Sequence, residues 1–160
     1  MCIAVLCSSY KNYCVYMSQR RPIQNQQLMF VTTNTRDREP VFYDQVYARE
    51  AVESLYRVQC FHPFFLYAFV IMPDHCHFLL YVTEHASISR LMYAYKRSVS
   101  FEIGKPLWQP RFYVKIVQDN IEAVIRYIHM NPVKKDLCEK PSDYPWSSAS
   151  GRWDTSDLPS

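Results

Sequence analysis

The 160-residue sequence lacks the features that mark several classes of protein. It has no run of about 18 apolar residues, so it predicts no membrane helix. Its six cysteines form no CxxC pair and no regular framework, which favours reduced thiols over disulfides or a zinc site. The apolar opening residues 1–7 are too short for a signal peptide and follow no basic region. We therefore expect a cytoplasmic protein without a membrane partner.

Acidic residues are scarce between His85 and Lys115, although the net charge of the chain is only +3. Glu102 is the only acidic residue in that segment, which carries a local charge of +5. One basic segment on a nearly neutral chain predicts an anionic partner at one surface. The basic residues of the segment are Arg90, Lys96, Arg97, Lys105, Arg111 and Lys115.

Composition predicts one globular domain. Hydrophobic residues make up 49% of the chain and aromatic residues 16%, enough for a single core. There are no repeats and no low-complexity segment. We assign residues 1–26 to an N-terminal extension, which is disordered or lies partly upstream of an alternative start at Met17. Residues 27–150 form the domain, and residues 151–160 form a tail.

Hydrophobic patterning predicts the element order β-α-β-β-α-β-α, an α+β fold. This is the ferredoxin-like split βαβ arrangement, an antiparallel sheet with helices on one face and an added C-terminal helix. The continuous apolar run 64–71 is predicted to be a central strand. Asp119, with Glu122, is predicted to cap the last helix, and Pro132 to end it near Asn131. The strands are predicted at 27–34, 64–71, 75–82 and 111–117, and the helices at 44–60, 87–103 and 119–131.

Two histidines stand at alternate positions near the start of the 75–82 strand. Side chains alternate along a strand, so His75 and His77 share one face and Cys76 takes the other. Two imidazoles on a rigid strand form two corners of a metal site. The competing interpretation is a pair of half-buried histidines on a solvated sheet face. If the last helix packs beside this strand, the carbonyl oxygen of Asn131 completes a set suited to Mg²⁺ or Mn²⁺.

Tyr127 and Asn131 are four residues apart on the last helix, so they share a face. Tyr127 would then lie one turn from the metal, where its phenol could attack a polarised phosphorus. With 13 tyrosines in the chain, an ordinary half-buried tyrosine is the alternative. Tyr113 is a rival nucleophile. It lies on a predicted strand near no predicted ligand, so we assign it to packing.

Four segments in this order resemble the IS200-like transposases, and within them the REP-associated tyrosine transposases. They are Val70-Ile-Met-Pro-Asp-His-Cys-His-Phe-Leu-Leu, Leu107-Trp-Gln-Pro-Arg-Phe-Tyr, Tyr127-Ile-His-Met-Asn-Pro-Val-Lys and Asp143-Tyr-Pro-Trp-Ser-Ser. The resemblance spans about Leu28 to Ser148. The sequence departs at Asp74, where relatives often carry Asn or Glu, and at 135–137, where they often carry a small residue followed by Gly-Leu.

The resemblance implies that His75 and His77 are the HUH histidines, that Asn131 is the third metal ligand and that Tyr127 is the nucleophile. It implies cleavage and rejoining of hairpin single-stranded DNA through a 5′-phosphotyrosine, with Mg²⁺ or Mn²⁺. It also favours contacts from the basic segment to phosphates, with Tyr93 and Tyr95 as base-stacking candidates.

Two other functions remain open from the sequence. One is a catalytically silent nucleic-acid binder that keeps the fold. The other is a metal-dependent phosphohydrolase that uses water as nucleophile, although only Asp74 supplies a carboxylate near the histidines. Monomer and homodimer are equally compatible with the sequence.

Overall fold

The antiparallel sheet and three helices predicted from the sequence are present. The computed structural model describes residues 14–16 and 26–158, the first of these as backbone only. The strands are β1 (Cys14–Tyr16), β2 (Leu28–Thr35), β3 (Phe64–Met72), β4 (His75–Val82) and β5 (Trp108–Ile116). The helices are α1 (Gln45–Gln59), α2 (Ile88–Ile103) and α3 (Ile121–Lys134).

The strand order is β1-β5-β2-β4-β3, and every neighbouring pair is antiparallel. The last four strands have the order of a ferredoxin-like split βαβ sheet, which confirms the predicted fold class. The first strand lies within the predicted 1–26 extension and pairs with β5. The remainder of that extension, up to residue 25, lies outside the described residues, so its predicted disorder stays a prediction.

The sheet separates two hydrophobic clusters. Helices α1 and α2 cover one face, where Cys76, Phe78 and Leu80 of β4 are buried. Helix α3 packs on the opposite face with Leu79 and, through Ile128, closes the smaller cluster. Alternation along β4 therefore sends apolar side chains into the larger cluster and both histidines towards α3.

Strand β3 is an edge strand, so its predicted central position was wrong. Its last five residues, 68–72, are nevertheless all buried, because the chain after α3 returns along its free edge. The amide of Ile71 donates to Trp146 O at 2.9 Å, Val70 forms an isolated bridge with Ser147, and Ser156 donates to Leu66 O at 2.7 Å. When the free edge of a strand is covered in this way, its sequence has the apolar pattern of a central strand.

The predicted bounds of α3 were wrong at both ends. Asn120, not Asp119, is the N-cap, with a left-handed φ of 55° and no side-chain capping bond. The helix also continues through Pro132 to Lys134, because burial of Asn131 and Pro132 against the sheet outweighs the local preference before proline. Tyr127 and Asn131 thus lie inside the helix.

Helix α3 ends in a Schellman motif. The amide of Leu137 donates to Pro132 O at 2.9 Å and that of Asp136 to Val133 O at 3.0 Å. Asp136 has the left-handed φ of 55° that this motif normally gives to glycine. The departure at 135–137 seen in the sequence is therefore a strained helix end.

Replacing Asp136 with Gly should relieve this strain and raise the free energy of unfolding by about 1 kcal/mol. Chemical denaturation of both proteins measures the difference. Lys140→Gly is the matched control, because Lys140 has an extended φ of −129° that gives glycine no advantage. Equal stabilisation by the two substitutions would contradict a strained helix end.

Candidate active site

Strand β4 and helix α3 bring the four predicted catalytic and metal-binding residues together. His75 and His77 are buried on the face of β4 towards α3, and their ring centroids lie 4.7 Å apart. Tyr127 is 5.6 Å from His77 between ring centroids, and 44% of it is exposed. Asn131 is buried one turn further along α3.

Each histidine is oriented by a partner at Nδ1. His75 Nδ1 lies 2.5 Å from Asp74 Oδ1, and His77 Nδ1 lies 2.8 Å from Thr32 Oγ1. In the described part of the chain, no hydrogen bond engages Nε2 of either ring. A metal-binding histidine is normally held in this way by a partner on its second nitrogen.

The amide of Asn131 is oriented in a similar way. Its Nδ2 donates to the carbonyl oxygen of Tyr127 at 2.9 Å, which leaves Oδ1 as the ligating atom. The same bond connects the nucleophile candidate to the third ligand candidate within one helical turn. Two imidazole nitrogens and a carboxamide oxygen fit a divalent ion with further open positions. No group of three His, Cys, Asp or Glu side chains that could hold a metal ion occurs among the described residues, so a metal site at the two histidines would need a ligand of another type, such as this amide.

Burial keeps both imidazoles in the neutral form that binds metal. Desolvation lowers the pKa of His77 to about 3, with a further contribution from His75. Desolvation also lowers the pKa of His75. The hydrogen bond that its Nδ1 donates to Asp74 opposes the shift, and the charges of Arg38 and Lys135 add to it.

The ring of Tyr127 is held by neighbours on two sides. The ring of Phe30 meets it edge-on at 5.8 Å, and Phe30 also stacks on His77 at 5.1 Å. The ammonium of Lys134 lies over the Tyr127 ring, 5.2 Å from its centroid. The tyrosine also borders an open groove of about 1040 Å³ along α3, which Arg126 and Lys134 line together with Asp119 and Glu122.

Sequence reasoning missed the residues that orient the ligands. Asp74 was assigned no role in orienting a ligand, yet its carboxylate accepts from His75 Nδ1 and pairs with Arg38 Nε at 2.9 Å. Adjacency to His75 was the available signal for Asp74. Thr32 and Phe30 had no such signal, because their place beside His77 depends on the register of β2 against β4.

Tyr113 lies closer to the site than the sequence predicted. It pairs with Thr32, which in turn pairs with His77, so Tyr113 is on the face of the histidines two strands away. Tyr113, the rival nucleophile, is therefore on the same face of the sheet as the histidines. Substitution of each tyrosine distinguishes which of the two is the nucleophile.

The basic segment is divided between the two faces of the sheet. Lys115 pairs with Phe30 across β5 and β2, which places it on the face of the site. Arg90 and Arg97 are exposed on α2, which covers the other face, and Lys105 pairs with Glu39 at 3.6 Å. Arg111 is exposed on β5.

Two residues of the predicted DNA-binding surface have internal roles. The ammonium of Lys96 donates to the carbonyls of Gln109, Pro110 and Arg111, at 2.7 to 3.4 Å. We therefore leave Lys96 out of the proposed DNA contacts below. Tyr95 is fully buried, so it cannot stack on a base.

Two further expectations concern thiols and membranes. Cys60, Cys76 and Cys138 are free, as predicted for the thiols whose side chains are described. Within the described ranges, no helix is both long and apolar enough to cross a bilayer.

The chain is similar in sequence to two curated proteins. It is 29% identical over 148 residues to a putative REP-associated tyrosine transposase of Haemophilus influenzae, covering 81% of this chain and 83% of that protein. It is 28% identical over 123 residues to the REP-associated tyrosine transposase of Escherichia coli K12, covering 74% of each.

Two solved structures share the fold. A REP-associated tyrosine transposase bound to a REP hairpin superposes with a TM-score of 0.69 at 24% identity, covering 95% of both chains. A putative transposase from Deinococcus radiodurans has a TM-score of 0.52 at 24% identity, covering 69% of this chain and 94% of that one.

The family model described as "Transposase IS200 like" matches residues 23–131, more than half of the sequence. This range contains β2 to β5, nearly all of α3 and all four residues of the site. The chain belongs to the IS200-like transposase family.

Proposed function

We propose that this chain cleaves and rejoins hairpin single-stranded DNA with Tyr127 as nucleophile and a divalent metal held by His75, His77 and Asn131. One observation carries the proposal. In all three metal-binding candidates a second polar atom is already bonded to the protein, so that the ligating atom stays available beside Tyr127. Mg²⁺ and Mn²⁺ both suit this ligand set.

The reaction is a phosphoryl transfer to the phenol oxygen of Tyr127. The Tyr127 Oη–P bond forms, the bond from phosphorus to the 3′ oxygen breaks, and the DNA keeps a 5′-phosphotyrosine link. The phenol proton leaves to solvent, and the departing 3′ oxygen takes up a proton as a free hydroxyl. A bound divalent ion supplies Lewis acidity at the scissile phosphate. Attack by a 3′-hydroxyl on the phosphotyrosine reverses the step and rejoins the strand.

The proposed partner follows from the relatives and from the charge of the site. Both curated relatives are named for REP-associated tyrosine transposases, and one solved relative is bound to a REP hairpin. Lys115, Arg126 and Lys134 supply positive charge on the same side of the sheet as Tyr127, where Asp119 and Glu122 also line the groove. Phosphate contacts of this kind bind DNA without reading its sequence.

The geometry favours this reaction over hydrolysis by water. A hydrolytic metal centre usually has carboxylates that bind the metal and help to activate water. Asp74 is the carboxylate beside the histidines, and its two oxygens are engaged by His75 and Arg38. A silent DNA binder, for its part, would have no use for oriented ligands beside an accessible phenol.

Substituting Tyr127 with Phe should abolish the covalent protein–DNA adduct, whereas Tyr113→Phe should retain it. Loss of the hydroxyl removes the nucleophile but keeps the ring contacts with Phe30 and Lys134. A denaturing gel with labelled hairpin single-stranded DNA and Mg²⁺ or Mn²⁺ detects the adduct. The proposal fails if the adduct persists in Tyr127→Phe, and loss in Tyr113→Phe alone would assign the nucleophile to Tyr113.

The Asp74→Ala substitution removes the hydrogen-bond partner of His75 and should weaken metal binding by about 10- to 100-fold. The ring would lose the bond that fixes its orientation and keeps Nε2 available. Calorimetric titration of Mn²⁺ into the DNA-free protein measures the affinity, and thermal melting checks the fold. Asp143→Ala removes an exposed carboxylate that has no bond to either histidine, and this variant should bind Mn²⁺ as the unsubstituted protein does. Equal affinities in both variants would contradict the orienting role of Asp74.

Lys115 should contribute more to DNA binding than Arg97, because it lies on the face of Tyr127. We expect Lys115→Gln to reduce the slope of log affinity against log salt by about 0.7, the value for one single-strand phosphate contact. Arg97→Gln should leave the slope unchanged. Fluorescence anisotropy of labelled hairpin DNA over a salt series gives both slopes. The reverse ranking would place the DNA strand over α2.

A further inference from the structure

A second pocket borders His75, and Tyr127 is not among the residues that line it. Its volume is about 230 Å³, and Arg38, Tyr43, Asp74, His75 and Lys135 are among the residues that line it. We call it the His75 pocket. None of its basic residues belongs to the predicted DNA-binding segment between His85 and Lys115. The catalytic step described above also leaves the pocket without a role.

Arg38 is fixed in the pocket by a strained turn. Asp37 and Arg38 both have left-handed backbone conformations, with φ of 53° and 58°. The guanidinium pairs through Nε with Asp74 Oδ2 at 2.9 Å and through Nη1 with Asn34 Oδ1 at 2.6 Å. These two bonds leave the other N–H donors of the guanidinium available to a phosphate. Strain of this kind persists where the surrounding contacts hold it and is concentrated at functional sites.

Lys135 adds a second positive charge from a different element. It is the C-cap residue of α3, the helix that carries Tyr127 and Asn131, and it is exposed. Among the described residues, no ion pair involves Lys135. Asp74 is the carboxylate of the pocket, and it is shared between Arg38 and His75. The pocket therefore has a positive balance suited to one phosphodiester.

Tyr43 provides an aromatic surface at the same pocket. It is 65% exposed, so its ring is open to solvent. A base has a π-face that stacks on such a ring regardless of its identity. Around this one small cavity, the two cations suit the phosphate of a single nucleotide and the exposed ring suits its base.

The direction of the reaction decides which nucleotide this is. In phosphoryl transfer the attacking and leaving oxygens lie roughly in line across the phosphorus. Tyr127 lies beside His77, with ring centroids 5.6 Å apart, whereas the pocket lies beside His75. With the scissile phosphate at the two histidines, in-line attack from the His77 side directs the leaving 3′ oxygen to the His75 side, where the pocket lies.

We infer that the His75 pocket binds the nucleotide that carries the leaving 3′ oxygen, with its own 5′ phosphodiester between Arg38 and Lys135 and its base against Tyr43. The inference rests on the proposed function, because it takes Tyr127 as the attacking group. It adds a binding site for the strand that is released and must be held for rejoining.

The test measures binding without catalysis, in full-length protein carrying Tyr127→Phe. The probe is a labelled dT oligonucleotide with a free 3′-hydroxyl, compared with the same probe whose last linkage is a neutral methylphosphonate. We expect the neutral linkage to weaken binding by about tenfold, as for a charged hydrogen bond. In Lys135→Gln, the charged probe should bind about tenfold more weakly, and the difference between the probes should become smaller, because only Arg38 then contacts the linkage.

Matched controls separate the pocket from general charge and from folding. Lys140→Gln removes an exposed lysine outside the pocket and should keep the full difference between the two probes. Tyr43→Ala should weaken binding by about fivefold or more, and this loss should vanish for a probe with an abasic last nucleotide. Thermal melting verifies that each variant folds.

The outcomes distinguish the pocket from the catalytic proposal. An unchanged difference between the probes in Lys135→Gln, or the same loss in Lys140→Gln, overturns the inference. A second probe carries a 5′ phosphate and represents the strand on the other side of the cleaved bond. The inference is also overturned if Lys135→Gln weakens binding of this probe as much as it weakens binding of the probe with the free 3′-hydroxyl. If the pocket binds as expected but hairpin DNA forms no adduct with Tyr127, the proposed function fails and the pocket stands as a nucleotide site.

Discussion

Strand β4 is the element on which the rest of the structure depends. Seven of its eight residues are buried, so each of its two faces must be covered by other parts of the chain. Helices α1 and α2 pack on one face against Cys76, Phe78 and Leu80. Helix α3 packs on the other face against Leu79. Because His75 and His77 alternate with the apolar residues, the packing that folds the domain also brings α3 to the histidines. The site is a product of that burial.

Burial also sets the chemistry of the site. A buried imidazole is costly to protonate, and the lowered pKa of His77 keeps a neutral nitrogen available to a metal. Orientation then comes from short hydrogen bonds supplied by three elements: Asp74 before β4, Thr32 on β2 and the Tyr127 carbonyl on α3. A shift of β2 by one residue would remove Thr32 from His77 and reverse the faces of Phe30 and Lys115.

Strained backbone is found at both ends of the His75 pocket. Arg38 and Asp136 adopt left-handed conformations, one beside Asp74 and the other directly after Lys135. Such conformations are costly for residues other than glycine. At Asp136 the strain closes a Schellman motif that fixes the end of α3. At Arg38 it holds a guanidinium beside the histidine that would bind metal. Both strained residues therefore lie where a positive side chain, Arg38 or Lys135, is positioned next to the histidines.

Sequence alone determined the parts of this protein that depend on local spacing. Alternation placed His75 and His77 on one face, the i, i+4 relation joined Tyr127 to Asn131, and the order of elements gave the fold class. Tertiary structure decided what depends on contacts between distant segments. The C-terminal return along β3 made an edge strand look central, and packing against the sheet carried α3 through Pro132. Strand register placed Thr32 beside His77 and Tyr113 on the same face of the sheet. Thr32 and His77 are 45 residues apart, so their pairing leaves no local pattern in the sequence.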